Sequence, residues 1–186
     1  MRGRSMPVLA AFIVLFVFAP VAGASCIKRH SVPIASGLSP SAETWTVEGT
    51  IGNNGSCREW LFGMEFNLPK AVNWGWGTGI PAGGHLSSDF NIDASDNLLE
   101  DGSYRVFSGT VAGDVAKLVA TLSNGKHREI RPKSVPAPLR SRIVWLRNVR
   151  YFVDYYLPTG FVSSVSLLSA SGQLLYRVPG SDGEFF

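Results

Sequence analysis

The sequence predicts an all-β protein, an antiparallel β-sandwich of about nine strands. Three observations lead to this prediction. Apolar and polar residues alternate with a period of two in many short segments, as half-buried strands require. Clusters of Gly, Asn, Ser and Pro separate these segments about every ten residues, which is typical of two packed antiparallel sheets. No segment sustains the period of a long helix.

The N-terminus has the layout of a secretory signal peptide. Positive charge at Arg2 and Arg4 precedes an apolar run over 7–18 and small residues at 22–24. Such a run is too short to cross a bilayer, which needs about 20 residues. We therefore predict a cleaved signal peptide over 1–24, a mature chain with no transmembrane segment, and a secreted, extracellular protein.

The two cysteines, Cys26 and Cys57, both follow the predicted signal peptide. An exported protein meets an oxidising environment, so we predict a disulfide between them. Closing this loop of about 30 residues would stabilise the fold by roughly 3–4 kcal/mol in the chain-entropy model. As an alternative, Cys26 follows small residues and is a candidate site for a lipid anchor.

The formal net charge is +3, and loss of the signal peptide removes two positive charges from it. This balance gives no support to nucleic-acid binding. Locally the charge is uneven. The stretch 87–102 has five acidic and no basic residues, whereas 103–157 has ten basic residues against three acidic ones. The simplest interpretation of both stretches is solvated strand faces and loops.

The first predicted hairpin joins strands over 44–51 and 60–66 through the Gly-Asn-Asn-Gly turn at 52–55. A Gly-rich loop follows over 73–84 and contains Trp74 and Trp76. If these tryptophans are exposed, they form a platform that could stack on sugars or anchor a protein interface. If they are buried, they close one end of the sandwich.

An acidic segment follows the loop. Oxygen-bearing side chains lie at positions 1, 3, 5, 7, 9 and 12 of the twelve residues over 89–100, which is the spacing of an EF-hand calcium loop. Ala94 replaces the usual Gly, and Asp96 replaces an apolar residue. A solvated acidic turn is the simpler interpretation. The candidate calcium ligands are Asp89, Asn91, Asp93 and Glu100.

The second half contributes further strands. The run over 115–122 fits either a helix or a strand, and the Asn-Gly pair at 124–125 favours a strand followed by a hairpin and a charged edge strand. Prolines 132, 136 and 138 mark a stiff connection before the longest alternation, which breaks at Asn148. The predicted strands are 104–111, 115–122, 126–131, 143–157, 161–169 and 173–178.

The C-terminal half, from Tyr104 to Val178, contains the strand and turn motifs Gly109-Thr110-Val111, Asp114-Val115-Ala116, Leu122-Ser123-Asn124-Gly125, Tyr151-Phe152-Val153, Leu157-Pro158-Thr159-Gly160 and Val165-Ser166-Leu167-Leu168-Ser169-Ala170-Ser171-Gly172-Gln173-Leu174-Leu175. Through these motifs it resembles a module of secreted actinobacterial proteins. The resemblance implies an immunoglobulin-like sandwich and an exported bacterial context, and it implies no activity. The predicted organisation is an N-terminal β-rich segment over 25–102, the sandwich module over 103–179 and a tail over 180–186.

No catalytic motif is present, and the three histidines, His30, His85 and His127, are widely spaced. We therefore predict a non-enzymatic surface module that binds a cell-envelope polymer or a protein partner. The alternative is an enzyme whose site assembles around His85 and the acidic segment. The candidate surface for an anionic polymer or lipid headgroup is the basic run Lys126, Arg128, Arg131, Lys133, Arg140, Arg142, Arg147 and Arg150.

Overall fold

The computed structural model describes residues 29–53, 59–70, 92–180 and 184–185. Most of these residues lie in antiparallel strands, which confirms the all-β, sandwich-like class. The strands are more numerous than the nine predicted, although some are only two residues long. They are β1 (His30–Leu38), β2 (Thr44–Asn53), β3 (Glu59–Asn67), β4 (Ile92–Leu98), β5 (Arg105–Ala112), β6 (Lys117–Leu122), β7 (His127–Ile130), β8 (Lys133–Ser134), β9 (Val149–Tyr156), β10 (Val162–Leu168), β11 (Leu174–Pro179) and β12 (Glu184–Phe185).

These strands form three sheets rather than the two predicted. The N-terminal sheet has the order β1-β2-β3, the central sheet β12-β4-β5-β9-β8, and the C-terminal sheet β11-β10-β6-β7. The predicted number of sheets is too low because the sequence pattern does not predict β1 and β4 as strands. Strand β1 pairs with the first predicted hairpin, and together they form a separate three-stranded sheet.

The central sheet packs against both of the others. Val106 of β5 lies in a core shared with the N-terminal sheet, and its neighbour Phe107 lies in a core shared with the C-terminal sheet. In this second core the ring centroids of Phe107 and Phe152 are 4.9 Å apart. Because both faces are covered, the six residues from Val106 to Val111 are all buried.

The predicted hairpins are confirmed. Strands β2 and β3, β6 and β7, and β10 and β11 pair antiparallel as expected, and β7 is an edge of its sheet. The run over 115–122 is indeed strand β6. Gly125 adopts a φ of 80° in the β6–β7 turn, which glycine tolerates without steric cost.

Strand β4 pairs with β5 along its whole length, from Ile92↔Val111 to Leu98↔Arg105. The sequence interpretation of this segment as an acidic turn is therefore wrong for Ile92–Leu98. The two strands approach closely because β5 has a glycine opposite Ala94. A Cβ at Gly109 would lie only 2.3 Å from the main-chain oxygen of Asp93. The predicted boundary at 102/103 falls in the β4–β5 turn, so the two predicted segments meet inside one sheet.

The strand predicted over 143–157 begins only at Val149. Before it, the short helix α1 (Ala137–Arg142) leads into a 3₁₀ turn (Val144–Asn148). Pro138 lies in the first turn of α1, where its fixed φ suits a helix and its missing N–H costs nothing. Ile143, Leu146 and Val149 are buried at intervals of three, which is the 3₁₀ period rather than the strand period.

Two turns of the C-terminal half that carry the resemblance contact each other. The side-chain amide of Asn124 donates to the main-chain oxygen of Thr159 at 2.8 Å, and Ser123 N donates to Phe161 O at 2.8 Å. The amide of Lys126 in turn donates to Asn124 Oδ1 at 3.0 Å. These polar residues therefore tie the β6–β7 turn to the β9–β10 connection.

Candidate functional site: a basic corner

Several predicted site residues lie outside the residues that the structure describes. These are the disulfide candidates Cys26 and Cys57, the tryptophans Trp74 and Trp76, the calcium candidates Asp89 and Asn91, and His85 of the alternative enzyme site. The predicted signal peptide over 1–24 also lies outside. The predictions that concern them stay predictions.

The two described calcium candidates, Asp93 and Glu100, are not brought together. Asp93 lies in strand β4, opposite Thr110 of β5. Glu100 is exposed in the turn after β4, where its main-chain N donates to Lys70 O at 2.8 Å. The rise of a strand places Asp93 roughly 16 Å from Leu98, the last residue of β4. Calcium ligands lie about 2.3–2.6 Å from their ion. Among the described residues, no group of three or more His, Cys, Asp or Glu side chains could hold a metal ion.

Asp96, which the sequence placed in an acidic loop, is instead a buried link between two sheets. Its side chain is 0% exposed. Its carboxylate accepts hydrogen bonds from Tyr156 Oη at 2.8 Å and from the main-chain N of Val162 at 2.7 Å. Arg105 Nε lies 3.1 Å from one carboxylate oxygen and 3.2 Å from the other. Since Val162 begins β10, this carboxylate joins the central sheet to the C-terminal sheet.

A second ion pair joins the same two sheets. Arg128 of β7 forms two hydrogen bonds to Asp154 of β9, at 2.8 and 3.0 Å. Its guanidinium carbon lies 5.1 Å from the centroid of the Tyr156 ring, a cation–π contact. Burial and the nearby charge of Asp96 raise the pKa of Tyr156 above its ordinary value of 10.

The hydrogen bonds around Asp96 link the two sheets and leave no open site at this carboxylate. Both oxygens of Asp96 are already occupied by donors, and no face of the side chain is exposed. A substrate would have to displace Arg105 or Tyr156 to reach it. The sequence does contain a signal for the burial of Asp96, because Ile92, Ala94 and Asp96 alternate along one strand and so share a face. It contains no signal for the partners of Asp96, because they are distant in the chain.

The exposed candidate is a group of basic residues beside strand β8, which we call the basic corner. Between residues 131 and 153 the chain contains six basic residues and no acidic one. They lie on or next to β8, α1, the 3₁₀ turn and the start of β9. The basic corner consists of Arg131, Lys133, Arg140, Arg142, Arg147 and Arg150.

Short-range contacts hold this corner together. Lys133 pairs with Tyr151, and Ser134 pairs with Arg150, across the β8–β9 ladder. Arg147 Nε donates to the main-chain oxygen of Arg140 at 3.3 Å, which joins the 3₁₀ turn to α1. The residues of the corner therefore lie on adjoining elements, although the β8–β9 ladder places Lys133 and Arg150 on opposite faces of the sheet.

Within the predicted basic run, Lys126 lies apart from the basic corner, in the β6–β7 turn at the other end of β7 from Arg131, and the remaining members differ in whether they are neutralised. Arg128 is paired with Asp154, as described above, and belongs to the link between the sheets. The ion pairs found in the described parts of the chain involve Lys70, Arg105, Lys117 and Arg128. None of them uses the following members of the basic corner: Arg131, Lys133, Arg140, Arg147 and Arg150.

No family model, curated protein or solved structure matches the chain. Within the described ranges, no helix is long and apolar enough to cross a membrane.

Proposed function

We propose that this chain is an exported, non-enzymatic binding module with an immunoglobulin-like sandwich, and that its basic corner binds an anionic polymer of the cell envelope. The observation that supports this proposal is the set of five basic side chains that form no ion pair in the described structure. Three of them, Arg131, Lys133 and Arg147, are exposed, and Arg140 and Arg150 are half-buried. The predicted signal peptide agrees with an extracellular target.

Electrostatics favours a multivalent anion as the ligand. Like charges that lack counter-charges repel one another, and a ligand of opposite charge relieves this repulsion while it is attracted to the site. A polymer presents its charges repeatedly, so several weak contacts add through a high effective concentration. Most of the corner is arginine, whose planar fork of donors matches carboxylate and phosphate oxygens better than lysine does.

Co-sedimentation of the purified chain with bacterial cell envelopes tests the proposal, at low and high salt. We expect binding at low salt and its loss at high salt, because exposed charges are screened over about 10 Å at 0.1 M salt and about 3 Å at 1 M. The triple variant Arg131→Gln, Lys133→Gln, Arg147→Gln should lose this binding.

The matched control is the triple variant Lys117→Gln, Lys126→Gln, Arg177→Gln, which removes three charges outside the basic corner. It should bind as the unchanged protein does. Equal weakening by both triple variants would show that only net charge matters and would contradict a binding site at the corner. Absence of binding at every salt concentration would contradict the proposed function itself.

A further inference from the structure

Exposed apolar side chains lie at the end of the molecule opposite the basic corner. Among the described residues, six large apolar side chains are exposed, and four of them lie at this end. They come from strand ends and from the β9–β10 connection rather than from the face of a sheet. We call this region the apolar end. It consists of Leu38, Leu98, Leu157 and Phe161, which are 67%, 46%, 60% and 52% exposed.

The link between the central and C-terminal sheets places Phe161 near Leu98. Leu98 is the last residue of β4 and lies on the same face of the strand as Asp96, two residues earlier. The hydrogen bond from Val162 N to the Asp96 carboxylate, at 2.7 Å, fixes the start of β10 beside this face. Phe161 immediately precedes Val162, so it extends from this contact toward the end at which β4 stops.

Leu157 lies at the same end because of the register of the central sheet. Leu98 is opposite Arg105, and Arg105 is opposite Tyr156, so the three form one row across β4, β5 and β9. Leu157 follows Tyr156 directly. Strand β9 covers about 24 Å between this row and its first residue, Val149, which adjoins the 3₁₀ turn of the basic corner.

Leu38 reaches the apolar end from the N-terminal sheet. It is the last residue of β1, and the turn that follows contains Glu43. Lys70 Nζ lies 3.2 Å from Glu43 Oε2 and 3.6 Å from Asp101 Oδ2. Because Asp101 is in the β4–β5 turn, just after Leu98, these contacts hold the β1–β2 turn against that end of the central sheet.

We propose that the apolar end is the contact surface of a two-fold symmetric dimer of this chain. Exposed apolar patches of a few hundred Å² on soluble proteins mark interaction sites. A fully exposed large apolar residue presents roughly 200 Å². At their observed exposures, the four residues supply about half of the roughly 800 Å² that each partner buries in a standard interface. The turns around them supply the polar rim of such an interface.

The charges of this end favour a second copy as the partner. Glu100 follows β4, and Lys126 lies in the β6–β7 turn, which Asn124 ties to the β9–β10 connection. Both side chains are exposed, and neither forms an ion pair within the parts of the chain that the structure describes. In a two-fold contact the same surface of both copies meets, so Glu100 of each copy can face Lys126 of the other.

The dimer goes beyond the proposed function and does not depend on it. Because the apolar end and the basic corner lie at opposite ends of β9, an end-to-end dimer carries its two basic corners far apart. If both proposals hold, one dimer binds two segments of the anionic polymer, and the two weak contacts add through a high effective concentration.

Sedimentation velocity of the exported chain, from about 1 µM to about 1 mM, tests the dimer. We expect a reversible monomer–dimer equilibrium that persists at about 1 M salt, because salt screens exposed charges but does not weaken apolar burial. The double variant Leu157→Ser, Phe161→Ser should weaken association at least tenfold, since it removes apolar side chains from the contact. The matched control is Leu174→Ser, a residue 51% exposed at the start of β11, away from the apolar end, and it should leave association unchanged.

A charge exchange tests the two-fold arrangement. Glu100→Lys should weaken association several-fold at low salt, because it places two positive charges opposite each other in both halves of the contact. Adding Lys126→Glu should restore the association, since each ion pair forms again with its signs reversed. A second change that restores nothing would overturn the two-fold pairing.

Three results would overturn the dimer. These are a monomer at every concentration, association that high salt abolishes, and equal weakening by Leu174→Ser and the double variant. Phosphatidylglycerol vesicles distinguish a membrane from a second copy: binding by a monomeric chain that the double variant loses would assign the apolar end to a membrane surface. Salt-sensitive binding of envelopes through the basic corner would stand in each of these cases, so the two proposals fail separately.

Discussion

Replacing Asp96 with Asn should be among the most destabilising single-atom changes in this protein. The substitution keeps the shape of the side chain but removes the charge that faces Arg105. An asparagine can still accept from Val162 N through its oxygen, and Tyr156 Oη can rotate to accept from its amide. The loss is therefore concentrated on the ion pair with Arg105.

The size of the loss follows from burial. Removing one partner of a fully buried ion pair costs about 3–5 kcal/mol, because the other charge is left uncompensated. The Arg105 side chain is 19% exposed, so water reaches it in part and lowers this cost. We expect Asp96→Asn to lower the free energy of unfolding by about 2–4 kcal/mol, a large share of the total stability of a domain.

Urea denaturation at neutral pH measures this change, and Asp154→Asn is the matched control. Asp154 also pairs with an arginine across the two sheets, but its side chain is 23% exposed and that of Arg128 is 35% exposed. A partly solvated pair of this kind should contribute at most about 1 kcal/mol. Equal losses in the two variants would refute the reasoning from burial, as would a loss below about 1 kcal/mol for Asp96→Asn.

Three other changes can be checked in the same way. Burial raises the pKa of Tyr155 from 10.0 to about 12. Its contribution to the free energy of unfolding is therefore complete below pH 10 and is lost as the pH rises through 12. In the variant Tyr155→Phe, the free energy of unfolding should decrease less over this pH range. Gly109→Ala should cost about 3 kcal/mol by chemical denaturation, since its Cβ would meet the main chain of Asp93; a loss under 1 kcal/mol would show that β4 moves away easily. Asn124→Ala removes the bond to Thr159 and should lower the midpoint of thermal unfolding by an amount equivalent to about 1 kcal/mol, whereas an unchanged midpoint would mean that the turns are held by other contacts.

The hairpins could be predicted from the sequence because their signals are local. The turn around Gly125 and the alternation on either side of it lie within about fifteen residues, and each supports the same register. Strand β1 was missed because Pro33 and a register shift between Pro33 and Ala35 interrupt its pattern. The 3₁₀ turn was missed because Ile143 and Val149 share the parity of the strand that follows.

The role of Asp96 could not be predicted, because its partners are set by tertiary structure. Tyr156 and Val162 lie 60 and 66 residues away in sequence. A carboxylate in a polar stretch is usually solvated. Hydrogen bonds from these donors offset the free-energy cost of burying it. For the same reason the sequence showed a basic run but could not show that Arg128 is neutralised by Asp154 while Arg131 is not.

The central position of β5 determines which unfolding events expose its amide protons to solvent. Its amides are bonded to β4 and β9 in the middle of the central sheet, and an outer sheet covers each face. Fraying of β1, β7 or β11 leaves these bonds intact, so amide protons from Val106 to Val111 can exchange with solvent only when the layers separate. Hydrogen exchange in β5 should therefore report global unfolding, and exchange in the outer strands should report only local fluctuations.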